Sequence, residues 1–145
     1  MATLDQNATE LRNLVAEFRQ RFHEVDAAAA NGPHASLSLQ ELRVVERLGD
    51  AGRTRMKELA EHLLLAVNSV TSLVDKLEAQ GLVRRERSTD DRRVVFVELT
   101  PTGRAAYGAA VGEKLSLLRL MLGALNADEQ ETFMALFRQI ARAGR

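Results

Sequence analysis

The stretch from Glu78 to Gly103 limits the possible folds more than any other part of the chain. Glu78-Ala79-Gln80-Gly81-Leu82-Val83 reads as the end of a helix, because glycine takes the left-handed conformation that commonly closes one. Two β-rich runs follow, Val83 to Arg87 and Val94 to Leu99, separated by the turn-forming residues Ser88-Thr89-Asp90-Asp91. Leu99-Thr100-Pro101-Thr102-Gly103 then reads as a strand end running into a new helix. Thr100 is a good N-cap, and Pro101 suits the first helical position because its fixed φ and missing N–H cost nothing there.

The segments before this stretch are helical. Leu11, Leu14, Val15, Phe18, Phe22 and Val25 recur at three- and four-residue spacing, which predicts a long first helix with one apolar stripe. It should stop near Asn31-Gly32-Pro33. Ser38 and Glu41 form an S-x-x-E capping box before Leu42, Val45 and Leu48. That second helix should end at Gly49-Asp50-Ala51-Gly52. Met56, Leu59, Ala60 and Leu63 mark a short third helix, and Val70, Leu73, Val74 and Leu77 a fourth. After the hairpin, a broadly apolar helix covers Leu115 to Leu125 despite Gly108 and Gly112. Asn126, with Glu129 three positions on, starts a last helix whose buried face should be Phe133, Leu136, Phe137 and Ile140. The fold class that results is mainly α with a small β-hairpin wing. It is a winged helix-turn-helix lobe at 36–104, with N- and C-terminal helices at 1–35 and 105–145 forming a dimerisation region. The terminal helices are too apolar for so small a lobe to cover, and exposed apolar area of that size usually marks an interface. A two-fold dimer is the default arrangement.

Composition narrows the chemistry. The formal net charge of the 145 residues is zero, so bulk charge does not announce a nucleic-acid partner. The distribution says more: residues 84–104 hold six arginines against four acids. There is no cysteine, which excludes disulfides, thiolate metal sites and a thiol redox sensor. No apolar run approaches the ~18 residues of a membrane span. Asp5 and Glu10 sit where a secretory signal would be basic and then apolar. A soluble cytoplasmic protein with no membrane association is expected.

The fourth helix has the partition a DNA-reading helix needs. Its apolar set points one way. Asn68, Ser72, Lys76 and Ala79 fall on the opposite face, flanked by Ser69, Thr71 and Asp75. Short polar side chains near the N-terminal end can reach base edges in a major groove: Asn pairs with adenine, and Ser or Thr with a base or phosphate. Lys76, further along, suits a phosphate. In the hairpin, an extended-tip arginine can enter the negative minor groove. Arg92 and Arg93 stand at the tip, Asp91 is placed to hold Arg93 by a charge-assisted hydrogen bond, and Arg84, Arg85 and Arg87 lie along the first strand. The competing readings of these two features are a solvated helix face and a solubilising charged hairpin. The alternative function is a winged-helix module that binds protein without sequence-specific DNA binding, for which a wing with exposed apolar side chains would be more usual.

Leu73-Val74-Asp75-Lys76-Leu77-Glu78, Gly81-Leu82-Val83-Arg84-Arg85, Asp91-Arg92-Arg93 and Leu99-Thr100-Pro101-Thr102-Gly103-Arg104 closely resemble the MarR (multiple antibiotic resistance regulator) family. The order of helices is similar over nearly the whole chain. The resemblance implies a homodimeric regulator of transcription, usually a repressor, that binds a pseudo-palindromic duplex in successive major grooves. It implies base reading by Asn68, Ser69, Thr71 and Ser72, and a wing arginine at Arg93 supported by Asp91; Arg87 and Arg92 are added as wing contacts from the hairpin's own charge pattern. It also implies release by a small effector, commonly a phenolic or aromatic anion. The effector site is not legible in the residues; Phe18, Phe22, His23 and Arg43 fall near the expected crevice by segment alone. Two positions depart from the family pattern: Leu64 stands where glycine is frequent in the turn, and Ala66 where Ser or Thr caps the recognition helix.

Neither a metal site nor another cofactor is expected, because His23-Glu24, His34 and His62 are scattered, with His62 read as a partly buried helix residue and His34 as a loop residue. An enzyme is not expected either: no G-x-S-x-G, P-loop, G-x-G-x-x-G or H-E-x-x-H occurs.

Overall fold

The structure, a computed structural model, describes residues 1–29 and 32–143, with the side chains of residues 22–29 outside that description. The described residues form six helices and three strands in the order α1 (Leu4–Ala29), α2 (Leu39–Ala51), β1 (Thr54–Arg55), α3 (Met56–Leu63), α4 (Val67–Ala79), β2 (Val83–Arg87), β3 (Val95–Leu99), α5 (Pro101–Gly123) and α6 (Ala127–Ala143). Two compact units divide the chain, Met1–Gly112 and Glu113–Arg145.

In the first unit, α2 begins where the Ser38 hydroxyl accepts from the Glu41 N–H at 3.2 Å. It ends at Gly52, whose φ of 76° needs a residue without Cβ strain. The ends of α3 and α4 close in the same way. Leu82 N–H donates to the Leu77 carbonyl (3.0 Å) around Gly81, and Leu65 N–H donates to the Ala60 carbonyl (3.1 Å) around Leu64. Both are the six-to-one bond of a Schellman closure. Gly81 adopts its positive φ of 73° freely; Leu64, at φ 56°, does not. Leu65 packs on the core, whereas Leu64 is 89 % exposed.

β1, β3 and β2 form an antiparallel sheet in that order, with Thr54 opposite Val97 and Val83 opposite Leu99. Val97 therefore sits in the central strand and is fully buried. The core joins this sheet to α2, α3 and α4 through Val44, Val45, Leu48, Leu59, Val74 and Leu77. Each such side chain contributes about 1.5–3 kcal/mol by leaving water. That is enough to make α4 a fixed platform.

Thr100 ties the hairpin to α5. Its Oγ1 donates to the Gly81 carbonyl at 2.5 Å and accepts from the Gly103 N–H at 3.1 Å. The first turn of α5 passes so close to β2 that a Cβ on Gly103 would lie 1.9 Å from the Leu82 carbonyl oxygen. Further along α5, the Tyr107 ring covers Gly49, and its hydroxyl donates to Asp50 at 2.5 Å.

In the second unit, α6 starts with a reciprocal capping box: Asn126 N–H donates to Glu129 Oε2 at 2.8 Å, and Glu129 N–H donates to Asn126 Oδ1 at 3.0 Å. Phe133 and Phe137 stack at 5.7 Å. The expected buried face of α6 is exposed in the single chain: Phe137 is 56 % and Ile140 68 % accessible. Leu115, Leu118 and Leu120 of α5 are exposed too, as are Leu11, Leu14 and Val15 of α1.

Candidate nucleic acid interface

α4 is held by Val70, Val74 and Leu77 on its buried side, and this fixes what its other side presents. Asn68, Ser69, Ser72 and Lys76 are exposed, and Thr71 is half-buried. The Thr71 hydroxyl donates to the Val67 carbonyl (2.9 Å) and the Ser72 hydroxyl to the Asn68 carbonyl (3.2 Å). Each hydroxyl has one proton and has committed it to the helix, so outward each offers an acceptor. Asn68 keeps both donor and acceptor capacity. Ala66, at the N-cap, supplies no side-chain bond, so the first N–H groups of α4 face outward without the usual cap.

The wing is shaped by its own short side chains. Ser88 Oγ accepts from the N–H groups of Asp90 (3.2 Å) and Asp91 (3.3 Å), which folds the turn back on itself. Val94 N–H donates to the Asp91 carbonyl at 2.9 Å and closes it. Asp91 then grips Arg93: Oδ1 accepts from the Arg93 N–H (3.0 Å) and Nε (3.1 Å), and Oδ2 from Nη2 (3.3 Å). These bonds hold the Asp91 carboxyl below its ordinary range, the Arg93 side chain first and its backbone N–H second. Although so held, the Arg93 side chain is 91 % exposed. A cation that is both oriented and in water is poised for an anionic partner. Arg92 is exposed beside it.

The arginines of β2 divide by role. Arg84 pairs with Glu98 across the sheet at 2.6 Å. Arg85 bridges to α4, reaching Asp75 at 2.6 Å and Glu78 through two parallel bonds of 3.2 Å. The Arg85 bonds lower the Glu78 carboxyl, and Glu78 in turn raises the Arg85 guanidinium. These two arginines brace the hairpin. Arg87 is exposed, and among the described residues it has no ion-pair partner.

Between α3, α4 and the wing lies a cleft of ≈ 630 Å³, lined by Arg55, Lys57, Arg85, Arg87 and Arg93 with Met56, Val67, Thr71, Val94 and Val95. Five cations and no acid line it. Arg55 and Lys57 escaped the sequence reading. They come from β1 and the start of α3, some 30 residues before the wing; the alternating cations of Arg53-Thr54-Arg55-Met56-Lys57 are the signal that could have found them. Pairing of Arg55 with Phe96 in the sheet brings them in.

The residues weighed for an effector crevice divide. Arg43 is engaged elsewhere: Nη2 donates to the Leu63 carbonyl at 3.2 Å and supports the α3 end beside Leu64. Phe18 is half-buried. Phe22 and His23 lie outside the described side chains. His62 is exposed, not partly buried, while His34 is buried in a turn. Among the described residues no group of His and carboxylates could hold a metal, and no helix is long and apolar enough to cross a membrane.

The arrangement has relatives. A sequence profile of the MarR family matches residues 37–95. The transcriptional regulator HosA of Escherichia coli O157:H7 is 31 % identical over 104 residues, which cover 72 % of this chain and 77 % of HosA. The chain belongs to the MarR family. Its fold is that of solved MarR-type regulators. FabT of Streptococcus pneumoniae, crystallised in complex with DNA, superposes with a TM-score of 0.79 at 18 % identity over 94 % of this chain and 95 % of FabT. BpsR of Bordetella bronchiseptica, whose DNA binding is regulated by 6-hydroxynicotinic acid, superposes with a TM-score of 0.61 at 23 % identity over 91 % and 98 %. A MarR-family chain is a regulator of transcription and not an enzyme.

Proposed function

We propose that this MarR-family protein is a homodimeric, sequence-specific repressor that grips a pseudo-palindromic duplex with α4 and the wing. The observation that carries this is the acid-free cleft between α4 and the hairpin, with a fully oriented and exposed Arg93 at its rim. In this reading the lobe at 36–104 binds DNA, and the helices at 1–35 and 105–145 hold two chains together. Asn68, Ser69, Thr71 and Ser72 meet base edges from the N-terminal half of α4. Lys76 meets a phosphate. Arg93, oriented by Asp91, enters the minor groove, with Arg87 and Arg92 on the flanking backbone. Arg55 and Lys57 join them as phosphate contacts, because the strand that passes from α4 to the wing crosses their cleft. That FabT, a protein of like fold, was crystallised in complex with DNA supports DNA binding by this fold.

The exposed apolar residues of α1, α5 and α6 support the dimer. A small aromatic or phenolic anion that favours a lobe spacing unsuited to DNA would release the repressor. A coupling of about 1–3 kcal/mol suffices for such a switch. Regulation of the DNA binding of BpsR by 6-hydroxynicotinic acid supports that class of effector.

The test is binding of the purified protein to DNA upstream of its own gene across a salt series, against random duplex. Tight binding with strong preference, falling steeply as salt rises, is expected. Binding equal to that of random duplex at every salt concentration contradicts sequence-specific regulation at that site.

A further inference from the structure

The first turn of α4 carries an apolar feature that its polar residues do not account for. Val67, the first residue of the helix, is 49 % exposed. The core takes Val70, Val74 and Leu77 from α4 and not Val67. Valine is also a mediocre helix former, so neither burial nor propensity explains it. With Thr71, one turn on, it lines the cleft beside the cations. The Thr71 hydroxyl donates to the Val67 carbonyl at 2.9 Å, so beside Val67 the residue offers a methyl and an acceptor oxygen but no donor. Val67 and Thr71 therefore share the cleft with Arg55, Lys57 and Arg87, and Asn68, the residue after Val67, is exposed at the start of α4.

Duplex DNA shows one apolar group in its major groove, the thymine C5 methyl, while adenine offers the N6/N7 pair that an Asn amide matches. The thymine methyl lies on the side of the groove next to its own strand's backbone. An apolar side chain that shares a cleft with cations and stands directly before an exposed Asn suits a methyl that lies between base edge and phosphate. We propose that Val67, with the Thr71 methyl, is a thymine-methyl contact that selects thymine at one position of each half-site, next to the base read by Asn68. This rests on the reading of α4 as the helix that enters the major groove.

The test separates the two. The full-length protein selects its preferred duplex from a random pool. Each thymine of that duplex is then replaced in turn by deoxyuridine, which removes only the methyl and keeps every hydrogen-bonding group. At one thymine per half-site, the change should weaken wild-type binding about threefold to tenfold. Val67→Ala should reduce that penalty, since only the smaller alanine and Thr71 methyls remain to cover the thymine methyl. Val67 lies outside the core, so the variant should keep the wild-type circular dichroism spectrum. A selected duplex that is indifferent to uracil at every thymine overturns the methyl contact alone. So does a uracil penalty that persists in full in Val67→Ala. A selection that enriches no sequence overturns the major-groove reading and this inference with it.

Discussion

Single residues in this lobe are under conflicting demands, and Leu64 is the clearest. It takes the left-handed conformation at φ 56° that ends α3, yet its side chain is 89 % exposed and returns little packing. A residue with a Cβ is penalised there by about 1–2 kcal/mol. Leu64→Gly should therefore stabilise the fold by roughly 1 kcal/mol in urea denaturation, after the greater flexibility of glycine in the unfolded chain is subtracted. A lower midpoint would contradict this. The sequence identified Leu64 as a departure from the family pattern but not its outward direction, which depends on Leu65 occupying the core instead. Arg85 shows a second limit of sequence reading. Its partners Asp75 and Glu78 lie on another element, so the strand alone gave no reason to separate it from Arg87. The Glu78 carboxyl is lowered from its ordinary 4.5 by Arg85. A depressed carboxyl stabilises the folded state above its unfolded pKa, and that contribution is lost as pH falls through the folded value. A carboxyl-detected NMR titration should place Glu78 below the ordinary range, and Arg85→Met should return it there. An unmoved titration in the variant would remove the brace between wing and helix.

At the scale of elements, the chain announces its helices and hairpin through periodicity and punctuation. The caps at Thr100 and Asn126 form as their sequence patterns indicate. At Ser38 the hydroxyl caps the Glu41 N–H, whereas the Glu41 carboxylate accepts from Gln80 instead of closing the box. β1 is invisible because two residues cannot show alternation, and it owes its existence to pairing with β3. Its consequence is functional, since it delivers Arg55 to the cleft. Gly103 read only as part of a helix start. Its requirement comes from the approach of α5 to the Leu82 carbonyl, where a Cβ would lie 1.9 Å away. Neither the backbone of β2 nor that of α5 can yield without disturbing Thr100, which bonds both. Gly103→Ala should cost about 1–3 kcal/mol or more, seen as an early thermal transition. It should also loosen the wing, seen as faster amide exchange at Val83 and Leu99. A wild-type melting temperature would show that the contact is relaxed in solution.

At the scale of the molecule, the single chain leaves apolar faces of α1, α5 and α6 in water. The α6 sequence pattern indicated that Phe133, Leu136, Phe137 and Ile140 share a face, and they do lie along one helix. What covers that face cannot come from periodicity, because the pattern is the same whether the cover is the chain's own or a partner's. If it is a second copy, light scattering should give twice the chain mass of 16.0 kDa. Phe137→Asp should reduce that mass toward one chain and weaken operator binding with it, since two half-sites would no longer be held together. A wild-type mass of one chain would contradict the dimer.

One comparison decides whether α4 and the wing together read DNA: operator and random-duplex affinities of wild type, Asn68→Ala and Arg93→Ala, measured at one salt concentration. Asn68→Ala should narrow the gap between operator and random duplex by about 1–3 kcal/mol, because it loses a base contact. Arg93→Ala should weaken operator binding, with the dimer still folded. Unchanged preference in the first variant together with unchanged affinity in the second would contradict the interface described.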